Sequence, residues 1–100
     1  LTQAVANASR AGRVVMQAFI TLDHALVLEP PAALAACETV IERCRALGYR
    51  GAVLAGHIRA SRFALAAGQA ERAAAHAREA LATDPEVWPD DLYRPERWLV

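Results

Sequence analysis

Three histidines, two cysteines and eleven acids are the side chains of this 100-residue sequence that could do chemistry, and their spacing argues against most of it. Asp23 stands next to His24, the pairing of a general base with its orienting acid. Adjacent residues of a helix diverge by about 100°, however, so the two side chains point apart. His24 therefore reads as a solvated or groove-lining side chain rather than a base. Asp90 and Asp91 are neighbours in a Pro-rich stretch, where acids form turns and attract water. Cys37 and Cys44, with His24, His57 and His76 on three different segments, give neither a C-x2-C pair nor an H-E-x-x-H helix. No metal is expected. The seven-residue separation of the cysteines spans roughly 10 Å along a helix, too far for a disulfide between them. Both read as buried free thiols, ordinary in a reducing compartment. A phosphate-cradling loop would need a Gly-rich turn ahead of a Lys, and the sequence contains no Lys. No catalytic residue and no cofactor is assigned, and the sequence reads as non-enzymatic.

Arginine is the remaining chemically active type. Arg43, Arg45, Arg50, Arg59 and Arg62 make the middle of the chain locally basic, and 32–47 followed by 52–67 could mimic a helix-turn-helix. The formal net charge of zero provides no long-range steering towards phosphate. The segment 52–67 also offers only His57, Arg59, Ser61 and Arg62 among twelve apolar or glycine residues, too few polar side chains for a recognition helix. Direct nucleic-acid binding is not expected. The arginines are read as laying their alkyl stems over small-residue helices with the guanidinium groups in water.

Helices are what must position these side chains. The sequence is 55% apolar and 22% charged, enough apolar material for a core, yet aromatic residues make up only 6%. Twenty-four alanines imply an interior of small side chains with closely spaced backbones. Gly12, Pro30-Pro31, Gly48 with Gly51, Gly68 and Pro85 divide the chain into segments of ordinary helix length. Residues 14–28 place Val15, Phe19, Leu22 and Leu26 on one stripe; 32–47 does so with Leu34, Cys37, Val40, Ile41, Cys44 and Leu47. Residues 52–67 and 69–83 follow with smaller side chains, the latter turning Ala70, Ala73, Ala77, Ala80 and Leu81 inward and Arg72, His76 and Glu79 outward. Gly48 and Gly68 stand where a helix C-terminus favours positive φ. No run reaches the roughly 18–20 apolar residues of a membrane-spanning helix, so the expectation is a soluble, cytoplasmic protein.

The helices repeat. Aligning Pro30 with Gly68 lays 14–28 over 52–66, and 32–47 falls over 69–83 with Cys37 on Ala73, Ile41 on Ala77 and Cys44 on Ala80, a period of about 36–38 residues. The fold class expected is all-α, antiparallel helix hairpins in a single domain over 1–100. Its parts would be the end of a preceding repeat (1–11), two repeats (12–48 and 49–85), and an acidic loop leading into a further helix (86–100).

Residues 54–85 resemble a tetratricopeptide repeat, with Gly68 at the inter-helix turn, Ala73, Ala80-Leu81 and a closing Asp84-Pro85 in that family's 34-residue rhythm. The departures are Ala77 where the family has a large aromatic, His57 where it often has Trp, and Pro30-Pro31 in place of a turn glycine. The Ala- and Arg-rich character is similar to helical repeat regions of large bacterial regulators. The resemblance implies a right-handed superhelix whose first helices line a concave groove that holds peptides or partner domains. On that pattern the partner-binding residues are Gln17, Ile20 and His24 in one repeat and Ala55, Ile58 and Arg62 in the next. Isoleucine knobs with Arg62 and a titratable His24 suit a segment bearing acidic side chains, since Arg offers carboxylate a bidentate fork.

The expected function is thus a non-enzymatic protein–protein interaction scaffold. The alternative is a helical effector or signalling region of a bacterial transcription regulator whose DNA-binding or ATPase domain lies outside this stretch. Residues 84–97 carry five acids against two arginines, with Trp88 and Tyr93, and read as a cap over the end of the array or as a docking loop. Apolar patterns running to both termini are expected of a fragment, which could pair with a second copy through its repeat ends.

Overall fold

The computed structural model describes residues 2–83 and 85–87, which form four packed α-helices: α1 (Thr2–His24), α2 (Pro30–Leu47), α3 (Arg50–Ala66) and α4 (Ala70–Leu81). Short 3-10 turns follow α1 at Ala25–Val27 and α4 at Pro85–Val87. Among the described residues there is no strand. Their neighbours in space follow chain order, α1 on α2, α2 on α3 and α3 on α4, and α1 also reaches α3. No helix among these residues is long and apolar enough to cross a membrane.

The helix ends follow from local chemistry. Pro30 disfavours helical backbone at the residue before it, and Glu29 is extended (φ −61°, ψ 148°), so α1 cannot run into α2. Pro30 and Pro31 then occupy the first turn of α2, where a missing N–H costs nothing and φ is already set. Gly48 and Gly68 adopt φ of +78° and +76°. At each, two backbone bonds close the helix in a Schellman pattern: Gly48 N–H to Arg45 O and Tyr49 N–H to Cys44 O, then Gly68 N–H to Leu65 O and Gln69 N–H to Ala64 O. The chain turns within two or three residues after α2 and α3, as between antiparallel neighbours.

The core is built on small residues. Ala52, Gly56, Ala60 and Ala64 form one buried stripe of α3 at four-residue spacing and face the buried Leu34, Cys37, Val40, Ile41 and Cys44 of α2. The backbones are so close at Gly56 that an added Cβ would meet Ile41 Cγ1 at 2.6 Å. Leu22, Ala18 and Ala25 close this cluster from the α1 side, and Ala73 does so from α4. A smaller cluster joins Leu54 to Ala80, with Ile58 and Val87 packed on it.

The structure revises several expectations. Gly12 does not punctuate the chain, because α1 continues through it and joins the segments read as the end of one repeat and the start of the next. Leu26 and Phe19 are exposed and Ala25 is buried, since the inward stripe runs Ala18, Leu22, Ala25 at ordinary helical spacing, one step round from the stripe expected. Ala70 and Leu81 face outward from α4, and Leu47 is half-exposed past the last buried turn of α2. His76, expected in solvent, turns inward to meet His57. Trp88, Asp90, Asp91, Tyr93 and the helix expected from Pro95 lie outside the described residues, and so does the choice between cap and docking loop.

Candidate functional site

Two features of these helices could recognise or regulate. The first is an apolar groove of about 330 Å³ where α1 approaches the start of α3, lined by Val15, Phe19, Tyr49, Leu54, Ala55 and Ile58. Helical spacing explains its walls. On α1 the stripe through Ala18 and Leu22 is buried, leaving Val15 and Phe19 one step around the helix at the groove edge. The apolar wall continues outward over Met16 and Ile20, which are 64% and 59% exposed. On α3 the Ala52–Gly56–Ala60 stripe faces α2, and Ala55 and Ile58 fall on the flank turned to α1.

Of the six residues expected to bind a partner, the structure brings Ala55 and Ile58 into this groove together. Gln17, Ile20 and His24 share a stripe of α1 that faces solvent beyond the wall, and Arg62 is exposed one turn after Ile58 on α3. Charge is distributed unevenly around them. The α1 and α3 segments carry Arg10, Arg13, Arg50, Arg59 and Arg62 against the single acid Asp23. Asp23 itself accepts a 2.7 Å bond from Arg59. By contrast α2 and α4 balance Glu38, Glu42, Glu71 and Glu79 with Arg43, Arg45, Arg72 and Arg78. The groove thus lies between the two basic helices of the four.

The second feature is a polar chain across α2, α3 and α4. Arg45 Nη2 lies 3.2 Å from His57 Nε2, His57 Nδ1 lies 2.9 Å from His76 Nδ1, and His76 Nε2 lies 2.8 Å from Glu38 Oε2. Arg72 donates to the other Glu38 oxygen. An open depression of about 240 Å³ lies over the chain, lined also by Ile41 and Glu42. Because arginine can only donate, His57 Nε2 must accept, and neutral His57 then carries its proton on Nδ1. That proton is given to His76 Nδ1, and His76 Nε2–H is given to Glu38. One proton arrangement satisfies every link.

Burial lowers the pKa of His57, and the charges of His76 and Arg45 lower it further against an opposing pull from Glu79. For Glu38, burial raises the pKa, but the hydrogen bonds from Arg72 and His76 outweigh it and hold the carboxyl below its usual value. Burial pushes the Cys37 thiol up to about 11 and that of Cys44 in the same direction, so both free thiols lie in the core as unreactive small apolar groups. The ring nitrogen that a general base would present, His57 Nε2, is occupied by Arg45. Among the described residues no three His, Cys, Asp or Glu side chains converge as metal ligands.

Sequence reading placed the histidines on separate segments and missed this chain. The available signal was His57 itself, a polar ring at a position that the helical pattern turns inward and that therefore needs a hydrogen-bonding partner. Comparison of the chain with protein-family models, curated proteins and solved structures gives no match.

Proposed function

We propose that this chain is a tetratricopeptide-like helical array that works as a protein–protein interaction scaffold, holding an acidic amphipathic segment of a partner in the groove between α1 and α3. The observation that carries the reading is the apolar groove of Val15, Phe19, Leu54, Ala55 and Ile58 set between two helices with five arginines and one acid. Apolar side chains of the segment would fill the groove, and its carboxylates would meet Arg62 and His24 on the outer faces. The repeat reading is supported by burial in the register read from the sequence. Ala18 and Gly56, Leu22 and Ala60, Cys37 and Ala73, and Cys44 and Ala80 are corresponding pairs, and each pair is buried on both sides.

The test compares two fluorescent peptides with one leucine pattern, the first flanked by glutamates and the second by lysines. The acidic peptide is expected to bind at least about tenfold more tightly, a difference of roughly 1.4 kcal/mol, and to weaken as salt rises. The double substitution His24→Glu with Arg62→Glu, and Ala55→Glu alone, are expected to weaken it while circular dichroism stays unchanged. Equal affinity for the two peptides, or binding untouched by either variant, would refute the assignment.

A further inference from the structure

We propose that Arg45, His57, His76 and Glu38 form a proton-counting latch that fastens α2, α3 and α4 at neutral pH and opens at its Arg45 end when the histidine pair takes up one proton. The proposal rests on the parity of donors and acceptors. The chain ends in a group that only donates, Arg45, and in one that only accepts, the Glu38 carboxylate. Between them are four ring nitrogens with two protons, and all three links are made only when His57 holds one on Nδ1 and His76 holds the other on Nε2. A third proton has nowhere to go without a clash. On His57 Nε2 it faces the Arg45 guanidinium; on the second Nδ1 it sets two N–H groups against each other across 2.9 Å. Placed on Glu38 it opposes the His76 N–H or, by changing the tautomer of both rings, again puts a proton on His57 Nε2.

The surroundings decide which link gives way. Facing the two rings from α2 are Glu38, Glu42 and Arg45, and from α4 Arg72 and Glu79, while α3 contributes His57 itself. Glu38 is held by two donors, Arg72 and His76 Nε2–H, and both links remain whichever ring takes the extra proton, so that end stays fastened. Arg45 is exposed and is repelled by a charged pair. It also borders a second depression of about 220 Å³ with Arg50, Val53 and Thr83, which leaves its side chain space to swing away. The acid form therefore keeps His57, His76 and Glu38 together and releases Arg45, loosening the end of α2 from α3.

Burial makes the folded His57 ring a weaker base than in the unfolded chain. Stability from this source is complete above about pH 6.5, the unfolded value, and is lost as pH falls through the lower folded value.

Two measurements on the 100-residue chain test the latch. Long-range proton–nitrogen NMR at about pH 7.5 is expected to show His57 in the Nδ1–H form, the less common tautomer of free histidine, and His76 in the Nε2–H form. His57 found as Nε2–H would overturn the proposal without any variant. Urea unfolding is then followed from about pH 7.5 to 5.5 in the wild type and in Arg45→Met, a substitution at an exposed site whose helicity is checked by circular dichroism. One extra proton bound on unfolding raises the unfolding constant by up to about tenfold per pH unit in the wild type. Arg45→Met, freed of the donor that the extra proton opposes, is expected to show a shallower slope. Equal slopes would mean that a merely buried histidine accounts for the acid sensitivity, and the latch would be discarded.

Discussion

Replacing Gly56 by alanine tests the central packing of the four helices, because two effects of opposite sign meet at one atom. Gly56 lies inside α3, where an alanine would favour the helix by roughly 0.5–1 kcal/mol. Its new Cβ, however, would stand 2.6 Å from Ile41 Cγ1, 3.4 Å from Cδ1 and 3.7 Å from the Cys37 carbonyl. Ile41 cannot simply yield, since it is β-branched, 3% exposed and enclosed in the main cluster. Overpacking of this kind costs about 1–3 kcal/mol, so the net expectation is a loss of about 1 kcal/mol. For a chain of this length that lowers Tm by about 4–8 °C. The cycle with Ile41→Ala isolates the cause. That change alone costs about 2–5 kcal/mol by opening a cavity, and in its background Gly56→Ala is expected to stabilise, because the clash is gone and the propensity gain remains. Chemical denaturation of the four proteins measures both terms. A stabilising Gly56→Ala in the wild-type background would refute the close approach of α2 and α3 at this position.

Further outcomes follow from single sites. Gly48→Ala is expected to cost about 1 kcal/mol in urea unfolding, because φ of +78° is strained for a side chain even though open space surrounds the position. Glu38→Gln is expected to lower stability by about 1–2 kcal/mol at neutral pH by removing the charge that accepts from Arg72 and His76. The folded Glu38 carboxyl is held below its ordinary value of 4.5, so its contribution is present above that pH and fades as pH falls further; unfolding curves of wild type and variant should converge in acid. Cys37 and Cys44 are expected to resist a thiol-specific reagent at about pH 8 in the native protein and to react in denaturant. Rapid native labelling would show that the core opens locally.

The all-α character and most helix limits were legible because they depend on local chemistry. Positive φ at Gly48 and Gly68 follows from needs that almost only glycine meets, and Pro30-Pro31 both ends one helix and starts the next. The α2 stripe of Leu34, Cys37, Val40, Ile41 and Cys44 was legible for a similar reason, since three- and four-residue spacing leaves one arrangement that buries it. Gly12 misled because an isolated glycine costs a helix only about 1 kcal/mol, which neighbouring turns can absorb. Leu26 misled because the buried stripe of α1 runs through the small Ala18 and Ala25 with Leu22, and leaves the larger Phe19 and Leu26 on its exposed side.

The candidate sites were legible in part. Ala55 and Ile58 were expected from the tetratricopeptide resemblance, whereas Val15 and Phe19 line the groove beside them because α1 packs against α3, which no local pattern encodes. The partners of His57 come from helices 12 and 19 residues away in sequence, and Glu38 lies 38 residues from His76. No short motif encodes such distances. The small residues that permit close packing of α2, α3 and α4 are what bring these polar groups together.

The most direct test of the groove assignment is a titration of the isotopically labelled chain with the glutamate-flanked peptide, following backbone and methyl resonances. Shifts concentrated at Val15, Leu54, Ala55 and Ile58, with smaller ones at Ile20, His24 and Arg62, are the expected result. Shifts gathered instead on the outer faces of α2 and α4, or no shifts at peptide concentrations that saturate the fluorescence assay, would contradict it.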